Sequence, residues 1–299
     1  MEVSFSPAPD PSLLSLSELS KHELLYRFER EWNVEVVLQR DTIFRRHKRF
    51  AIFDMDSTLI QQEVIDEIAS FIGVEAEVSA ITARAMNGEL DFSASLKARV
   101  GLLKGVPATV FETLKSRITI TPGAIELCRV LKRLGFTLAV ASGGFQPLAD
   151  WLASILGLDY AFANHLLVDP TTNTLTGELD PSKPIIHAEQ KRSLLQSLTQ
   201  KHGIPLTQTL AVGDGANDIP MLKAAGLGVA WKAKAKVQME APTRLNVGES
   251  LLDIIYLLGL TKREVDELLQ MNSEPFHEVE ADVDQAKQVA TNTPSTPLP

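Results

Sequence analysis

The sequence predicts an α/β fold: a Rossmann-like parallel sheet covered by helices on both faces, with a small helical cap inserted after the first core strand. Three observations carry that prediction. From Arg49 onward, short apolar runs alternate with helix-period stretches, and continuous apolar strands of this kind belong to parallel sheets whose crossovers are helices. Three of those runs end in polar loops, two of them glycine-bearing, where open α/β sheets bind their ligands. One connection, about sixty residues between Ile60 and Thr121, is far too long for a single crossover and reads as several helices.

Taken in order, residues 1–12 are rich in Ser and Pro and are expected to be disordered. LSELSKHELLYRFEREW reads as one amphipathic helix with Leu16, Leu19, Leu24, Leu25 and Phe28 near one face, and VEVVLQR as a short strand. This extension, residues 1–48, is too small for a domain of its own and is expected to pack on the body. Arg45-Arg46-His47-Lys48-Arg49 reads as a solvated basic lead-in to the first core strand rather than as a nuclear-targeting patch. The core strands are RFAIFD, FTLAVAS, DYAFA, TLAVGD and LGVAW, separated by the helical GAIELCRVLKRLG, FQPLADWLASILG, AEQKRSLLQSLTQKHG and IPMLKAAG. They define a core over 49–61 and 120–270. The cap, 62–119, holds QEVIDEIASFIG, AEVSAITARAMNG, DFSASLKARVGLLKG and TVFETLKSRI, with Asp91 as an N-cap and Gly73, Gly88 and Gly105 as helix stops. HLLVDPTTNTLTGEL interrupts the alternation as a hairpin or flap. A last helix follows Thr261, and 271–299 is an acidic, Pro/Thr-rich tail expected to be disordered.

Composition narrows the function. The chain has 299 residues, 44% hydrophobic and 22% charged, ordinary values for a globular protein. A net charge of −9 argues against a nucleic-acid partner. No run approaches a membrane span, and MEVSFSPAPDPS lacks the layout of a signal peptide. The lone Cys128 sits at core spacing in a helix and excludes an intrachain disulfide, so a cytoplasmic location is expected. The histidines form no HxxxH pair, which argues against a zinc site. Nothing in the sequence specifies an oligomeric state.

The chemistry lies at three strand ends: Asp54-Met55-Asp56-Ser57-Thr58, Ser142-Gly143-Gly144 and Gly213-Asp214-Gly215-Ala216-Asn217-Asp218. Singly, each reads as an ordinary turn. Together on one sheet edge they gather the carboxylates of Asp54, Asp56, Asp214 and Asp218, the Ser142 hydroxyl and free backbone N–H groups. So many carboxylates require a positive partner, and hard oxygen ligands suit Mg²⁺ with a phosphate beside it. Backbone N–H groups of a glycine turn suit the other phosphate oxygens. Lys191 is a candidate to complete the charge balance, with Arg192 next door competing for the role.

DMDST, the strand-terminal SGG, a lysine opening a later helix, and GDGAND resemble, in that order, the four motifs of the haloacid dehalogenase-like phosphatase superfamily. QQEVIDEIAS, ITARAMNGELDFSASLKARVGLLKG, TPGA, AVASGGF, LGLDYAFAN and AVGDGANDIPML are similar to the phosphoserine phosphatase family, and the likeness covers about residues 49–260. The resemblance implies that Asp54 is the nucleophile and that Asp56 is the general acid and base. It implies that Mg²⁺ is held by Asp54, the Asp56 backbone carbonyl and Asp214. Ser142, Gly143 and Lys191 would grip the phosphoryl group, with Asn217 lining the site and Asp218 and Thr58 in support. Glu63 would meet the ammonium and Arg99 the carboxylate of a small-molecule substrate, phosphoserine, beneath Met86 and Phe92. Read as residues alone, Glu63 and Arg99 equally describe helix-surface charges, and Met86 and Phe92 ordinary lid core. Some relatives carry an amino-acid-sensing domain for which the first 48 residues are too short. DPSKPIIHAEQ, ahead of Lys191, follows the family least closely. A phosphatase or phosphotransferase for another small phosphate ester is the alternative. A non-catalytic sensor is disfavoured, because Asp54 and Asp56 are both present.

Overall fold

Side-chain alternation in the first core strand sets how the sheet is covered. The computed structural model describes residues 2–4, 15–86 and 89–271. In it β1 (Phe50–Phe53) is buried at every residue. Ala51 and Phe53 join one apolar cluster, while Phe50 and Ile52 join a second on the opposite face. A half-solvated sheet would show polar residues at every other position; this one shows none.

The chain opens with α1 (Leu16–Leu19) and α2 (Glu23–Trp32) before β1, which α3 (Val64–Ile72), α4 (Glu75–Met86), α5 (Phe92–Gly101) and α6 (Val110–Lys115) follow. Then come α7 (Ala124–Arg133), β2 (Thr137–Phe145), α8 (Gln146–Leu156), β3 (Tyr160–Asn164) and the hairpin β4 (Leu166–Asp169) and β5 (Thr174–Leu179). The rest runs α9 (Ala188–Lys201), β6 (Thr209–Gly213), α10 (Ile219–Ala224), β7 (Leu227–Trp231), α11 (Ala235–Glu240), β8 (Thr243–Leu245), α12 (Ile254–Leu257) and α13 (Lys262–Gln270). Six strands form one parallel sheet in the order β3-β2-β1-β6-β7-β8. The chain starts in the middle at β1, builds outward through β2 and β3, and returns to build the other half from β6. β1 therefore lies at the topological switch, where open sheets leave a crevice at the carboxyl edge. Leu127, Cys128 and Leu131 of α7 and Leu148 and Leu152 of α8 fill one face. Leu194, Leu195 and Leu198 of α9, with Met221 and Leu222 of α10, fill the other. Burial pushes the Cys128 thiol up to about 12, the behaviour of an inert core residue. Among the described residues no helix is long and apolar enough to cross a membrane.

The helical insertion hangs on a short two-stranded ribbon. Ile60 and Ile120 form an antiparallel bridge, Gln61 N–H donates to Thr119 O at 2.9 Å, and Thr121 N–H donates to Leu59 O at 2.9 Å. Asp91 caps α5 as expected, its Oδ1 accepting from Ala94 N–H at 2.7 Å, and Gly73 ends α3 at φ 74°. α5 ends at Gly101, so Gly105 sits four residues farther on, in the turn that meets the hairpin. There Gly105 N–H donates to Leu175 O, Leu175 N–H to Val106 O and Ala108 N–H to Asn173 O, at 2.8, 2.8 and 2.9 Å. The hairpin comes so close to α5 that a side chain on Gly177 (φ +80°) would lie 2.9 Å from the Lys104 Cβ.

The extension differs from expectation in two ways. The single amphipathic helix breaks at Ser20–His22, where His22 accepts Leu24 N–H and starts α2 afresh. Leu24 and Phe28 are exposed rather than packed on the body. VEVVLQR forms no strand: the Val36 N–H is taken by a Glu29 carboxylate oxygen at 2.8 Å, which removes a ladder donor. Polar contacts attach the segment instead. Glu35 accepts from the Asn246 and Val247 N–H groups at 2.7 and 3.1 Å, and Arg244 pairs with Glu29 at 2.5 Å. The stop at Gly88, the tail beyond Met271, most of the Ser/Pro-rich start and the Met86 side chain lie outside the described residues.

Candidate active site

Asp54 is the first polar residue after an apolar strand, and the ladder continues one residue to hold it. Its N–H donates to Val212 O at 2.9 Å. Its Oδ1 accepts Met55 N–H at 2.7 Å, which turns the carboxylate off the strand axis. Met55–Leu59 then makes a wide turn closed by Ile60 N–H to Met55 O at 3.0 Å, with Ser57 in the left-handed region at φ 55°. Because β1 pairs with both β2 and β6, the loops after all three strands emerge side by side.

Lys191 answers their negative charge. His187 caps α9, Lys191 falls on the first turn, and its side chain is fully buried. The ammonium lies 2.7 Å from Asp54 Oδ2 and 2.7 Å from Asp218 Oδ1. Burial alone would lower its pKa, yet Asp218 and Asp54 outweigh burial and hold it above the ordinary lysine range. Arg192 points elsewhere, pairing with Glu189 at 2.6 Å on the exposed face. The prolines of DPSKPIIHAEQ do not keep Lys191 from its partners. Asp218 is oriented in turn by Gly215 N–H, which donates to its Oδ2 at 3.0 Å. A side chain on Gly213 would lie 2.4 Å from that carboxyl group, so the strand must end in glycine here.

Carboxylate oxygens of Asp54, Asp214 and Asp218 lie within 4.8 Å of one another. Burial, followed by the charges of Asp54 and Glu63, pushes Asp214 up to about 7. Asp218 is also raised, by burial first and by Asp54 next. A cluster that must otherwise hold protons at neutral pH is one that a hard divalent cation fits, and the donor set is oxygen throughout. Asp218 belongs to this cluster itself as well as supporting Lys191. Thr58 donates not within its own loop but across to Asp214 Oδ1, at 3.1 Å.

Asp56 has a different environment from Asp54. Burial first, then the charges of Glu63 and Asp54, raise its carboxyl well above the ordinary range. Its Oδ1 is buried with no hydrogen-bond partner. A carboxyl group whose pKa is raised in this direction, with one oxygen uncommitted, is suited to giving a proton. Gly144 leaves it room: a Cβ there would lie 2.9 Å from the Met55 Cε and 3.1 Å from Asp56 Oδ2. Ser142 is fully buried, and its Oγ accepts Gly144 N–H at 2.8 Å.

The insertion reaches this edge. The Phe92 ring lies 3.3 Å from where a Gly143 Cβ would stand, so the start of α5 rests on that loop. Arg99 feels the charges of Asp66, Glu63 and Asp56, although burial lowers its pKa, and it pairs with no carboxylate among the described residues. Glu63 accepts from Ser57 Oγ at 2.8 Å. Asn217 folds over Gly215, where a Cβ would lie 2.2 Å from its Oδ1.

The sequence reading missed Asn164. It is buried at the end of β3; its Nδ2 donates to Gly143 O at 2.8 Å and its Oδ1 accepts Ile186 N–H at 2.9 Å. It therefore ties the glycine loop to the segment that delivers Lys191. A lone amide closing an apolar run was the available signal.

The haloacid dehalogenase-like hydrolase family model matches residues 49–226. The chain is 44% identical to a probable phosphoserine phosphatase of Schizosaccharomyces pombe, over 80% of this chain and 79% of that one. It is 43% identical to the phosphoserine phosphatase of Saccharomyces cerevisiae, over 82% and 78% respectively. A solved phosphoserine phosphatase in a substrate-bound complex superposes with a TM-score of 0.64 at 42% identity, covering 70% of this chain and 97% of that one.

Proposed function

This chain belongs to the haloacid dehalogenase-like hydrolase family, and on that footing we propose that it is a Mg²⁺-dependent phosphoserine phosphatase. It hydrolyses O-phospho-L-serine to L-serine and phosphate, as the last step of L-serine biosynthesis in the cytoplasm. The observation that carries the proposal is Lys191, buried between Asp54 and Asp218 at 2.7 Å from each, beside an Asp56 whose free oxygen is held in a proton-bearing environment.

Asp54 attacks phosphorus while the bond to the serine oxygen breaks, leaving the phosphoryl group on the Asp54 carboxylate. Asp56 gives its proton to the departing serine oxygen. A water molecule then attacks the aspartyl-phosphate, Asp56 takes its proton, and Asp54 and free phosphate are restored. Lys191, the Ser142 hydroxyl and the Gly143 N–H bind the phosphoryl oxygens as charge shifts among them. Asp54, Asp214 and the Asp56 carbonyl would hold Mg²⁺, which would supply the charge neutralisation that lets the anionic nucleophile and the anionic phosphate meet. Residues 62–119 act as the cap that excludes water. Within it Arg99 receives the substrate carboxylate, Glu63 its ammonium, and Met86 and Phe92 close over the short side chain, with Asn217 completing the wall.

The test is phosphate release from phosphoserine, phosphothreonine, sugar phosphates and a phosphopeptide, with Mg²⁺ or with EDTA. Phosphoserine should show the highest kcat/KM, EDTA should abolish turnover, and Asp54→Asn should be inactive. Arg99→Ala should raise the KM for phosphoserine by roughly a hundredfold, the worth of a charge-assisted fork. A higher kcat/KM for a sugar phosphate would reassign the substrate and keep the chemistry. Turnover by Asp54→Asn would overturn the mechanism.

A further inference from the structure

We propose that Ser57 is a specificity-positioning residue, whose hydroxyl holds Glu63 in the orientation that receives the ammonium group of an amino-acid phosphate ester. The inference rests on the phosphoserine reading and adds a residue to it.

Two independent features point to Ser57. The first is its backbone. At φ 55° it occupies the left-handed region, where an L side chain crowds its own peptide and glycine is the undemanding choice. Asn33, Asn173 and Lys232 also sit at positive φ; asparagine tolerates that region, and none of the three stands in the loop of Asp54 and Asp56. Ser57 stands in the loop that carries Asp54 and Asp56, directly after Asp56. A side chain retained against backbone strain beside a reaction centre is retained for what it contacts.

The second feature is that contact. Ser57 Oγ donates to Glu63 Oε1 at 2.8 Å, and its N–H donates to Gln62 O at 3.2 Å, so one residue clamps both the side chain and its peptide neighbour. Among the described residues the Glu63 side chain makes no other hydrogen bond and no ion pair; Glu63 begins α3 without its side chain capping it. With Oε1 committed to Ser57, the second oxygen is left for a cation that the chain itself does not supply. Burial raises the Glu63 carboxyl pKa, and the Ser57 hydroxyl pulls against that rise. Arg99 is the complementary case, a cation with no carboxylate partner within ion-pair distance among the described residues. The two together suit a zwitterion, and Ser57 fixes the anionic half. The same loop carries Asp56, so the ammonium sensor is referenced directly to the proton donor.

The experiment is steady-state kinetics of Ser57→Ala and Ser57→Gly on O-phospho-L-serine and on phosphoglycolate, which has the carboxylate and the phosphate but no ammonium. Both variants lack the hydroxyl, and only the glycine relieves the backbone. In both, the KM for phosphoserine should rise on the order of tenfold while kcat stays within about threefold. The preference for phosphoserine over phosphoglycolate should fall by the same factor. A change in only one variant assigns the effect to the backbone and overturns the inference, as does an equal loss on both substrates or no change in either. A wild type that shows no preference for phosphoserine over phosphoglycolate sinks the substrate reading instead. Ser57 is then judged by crystal structures of the wild type and Ser57→Gly: a displaced Glu63 carboxylate supports the clamp, and an unmoved one overturns it.

Discussion

Replacing Lys191 with methionine removes one charge and very little volume, from a position where charge is concentrated. The ammonium is fully buried and sits 2.7 Å from each of two carboxylates. Stripping one partner from a buried ionic group leaves uncompensated charge and costs about 3–5 kcal/mol, more than the net worth of the interaction itself. The sign with pH follows from which groups titrate. In the wild type the Lys191 pKa is raised, so its stabilisation is complete below the ordinary lysine value of ~10.4 and is constant across the neutral range. In Lys191→Met, Asp218 faces Asp54 without a cation, and Asp218, raised by burial first and by the Asp54 charge next, binds its proton more tightly folded than unfolded. Stability then falls as pH rises above the unfolded carboxylate value of ~3.9. Urea unfolding in EDTA should therefore find the two proteins close together near pH 4 and separated by about 3–5 kcal/mol near pH 7. Mg²⁺ should narrow the gap at neutral pH, since it neutralises the same oxygens. Turnover should drop by roughly a hundredfold or more, the loss seen when one preorganised donor to a transferring group is removed. A gap below about 1 kcal/mol, or one that does not change with pH, would refute the argument.

Three further outcomes are expected. Because Asp214 is pushed up to about 7 in the absence of a cation, Mg²⁺ must displace a proton below that pH; calorimetric titration should show affinity falling about tenfold per pH unit below ~7 and levelling above it. Gly144→Ala should cut kcat at least tenfold, roughly, with little change in Tm, since the added methyl meets the flexible Met55 tip at 2.9 Å and the Asp56 carboxyl at 3.1 Å. Asn164→Ala leaves the Gly143 carbonyl and the Ile186 N–H without their partner and should destabilise the fold by about 1–3 kcal/mol, which chemical unfolding measures.

The strands of the sheet centre were legible because burial on both faces writes an unbroken apolar run, and Phe50–Phe53 is such a run. The strand-end carboxylates were legible because three polar loops, each ordinary alone, fall together on one sheet edge. What escaped notice depends on geometry that composition does not record. β8 has three residues, too few for a periodic signal. VEVVLQR has the β-branched character of a strand, but a glutamate oxygen took one of its N–H groups. Lys191 and Arg192 were interchangeable as letters, and only the turn of α9 separates a buried ammonium from an exposed guanidinium. Ser57 drew no attention because a backbone angle leaves no mark in a serine. Thr58 was legible only as a supporting residue, and the sequence does not record that it reaches a different strand end.

The ribbon beneath the helical insertion also bears on how substrate enters. Two crossings at Leu59–Gln61 and Thr119–Thr121 make a narrow stalk. At its far side the insertion is sewn to β5 through Gly105, Val106 and Ala108. Opening therefore carries the hairpin along or tears that seam. Amide exchange at Leu175 reports which of the two the molecule does.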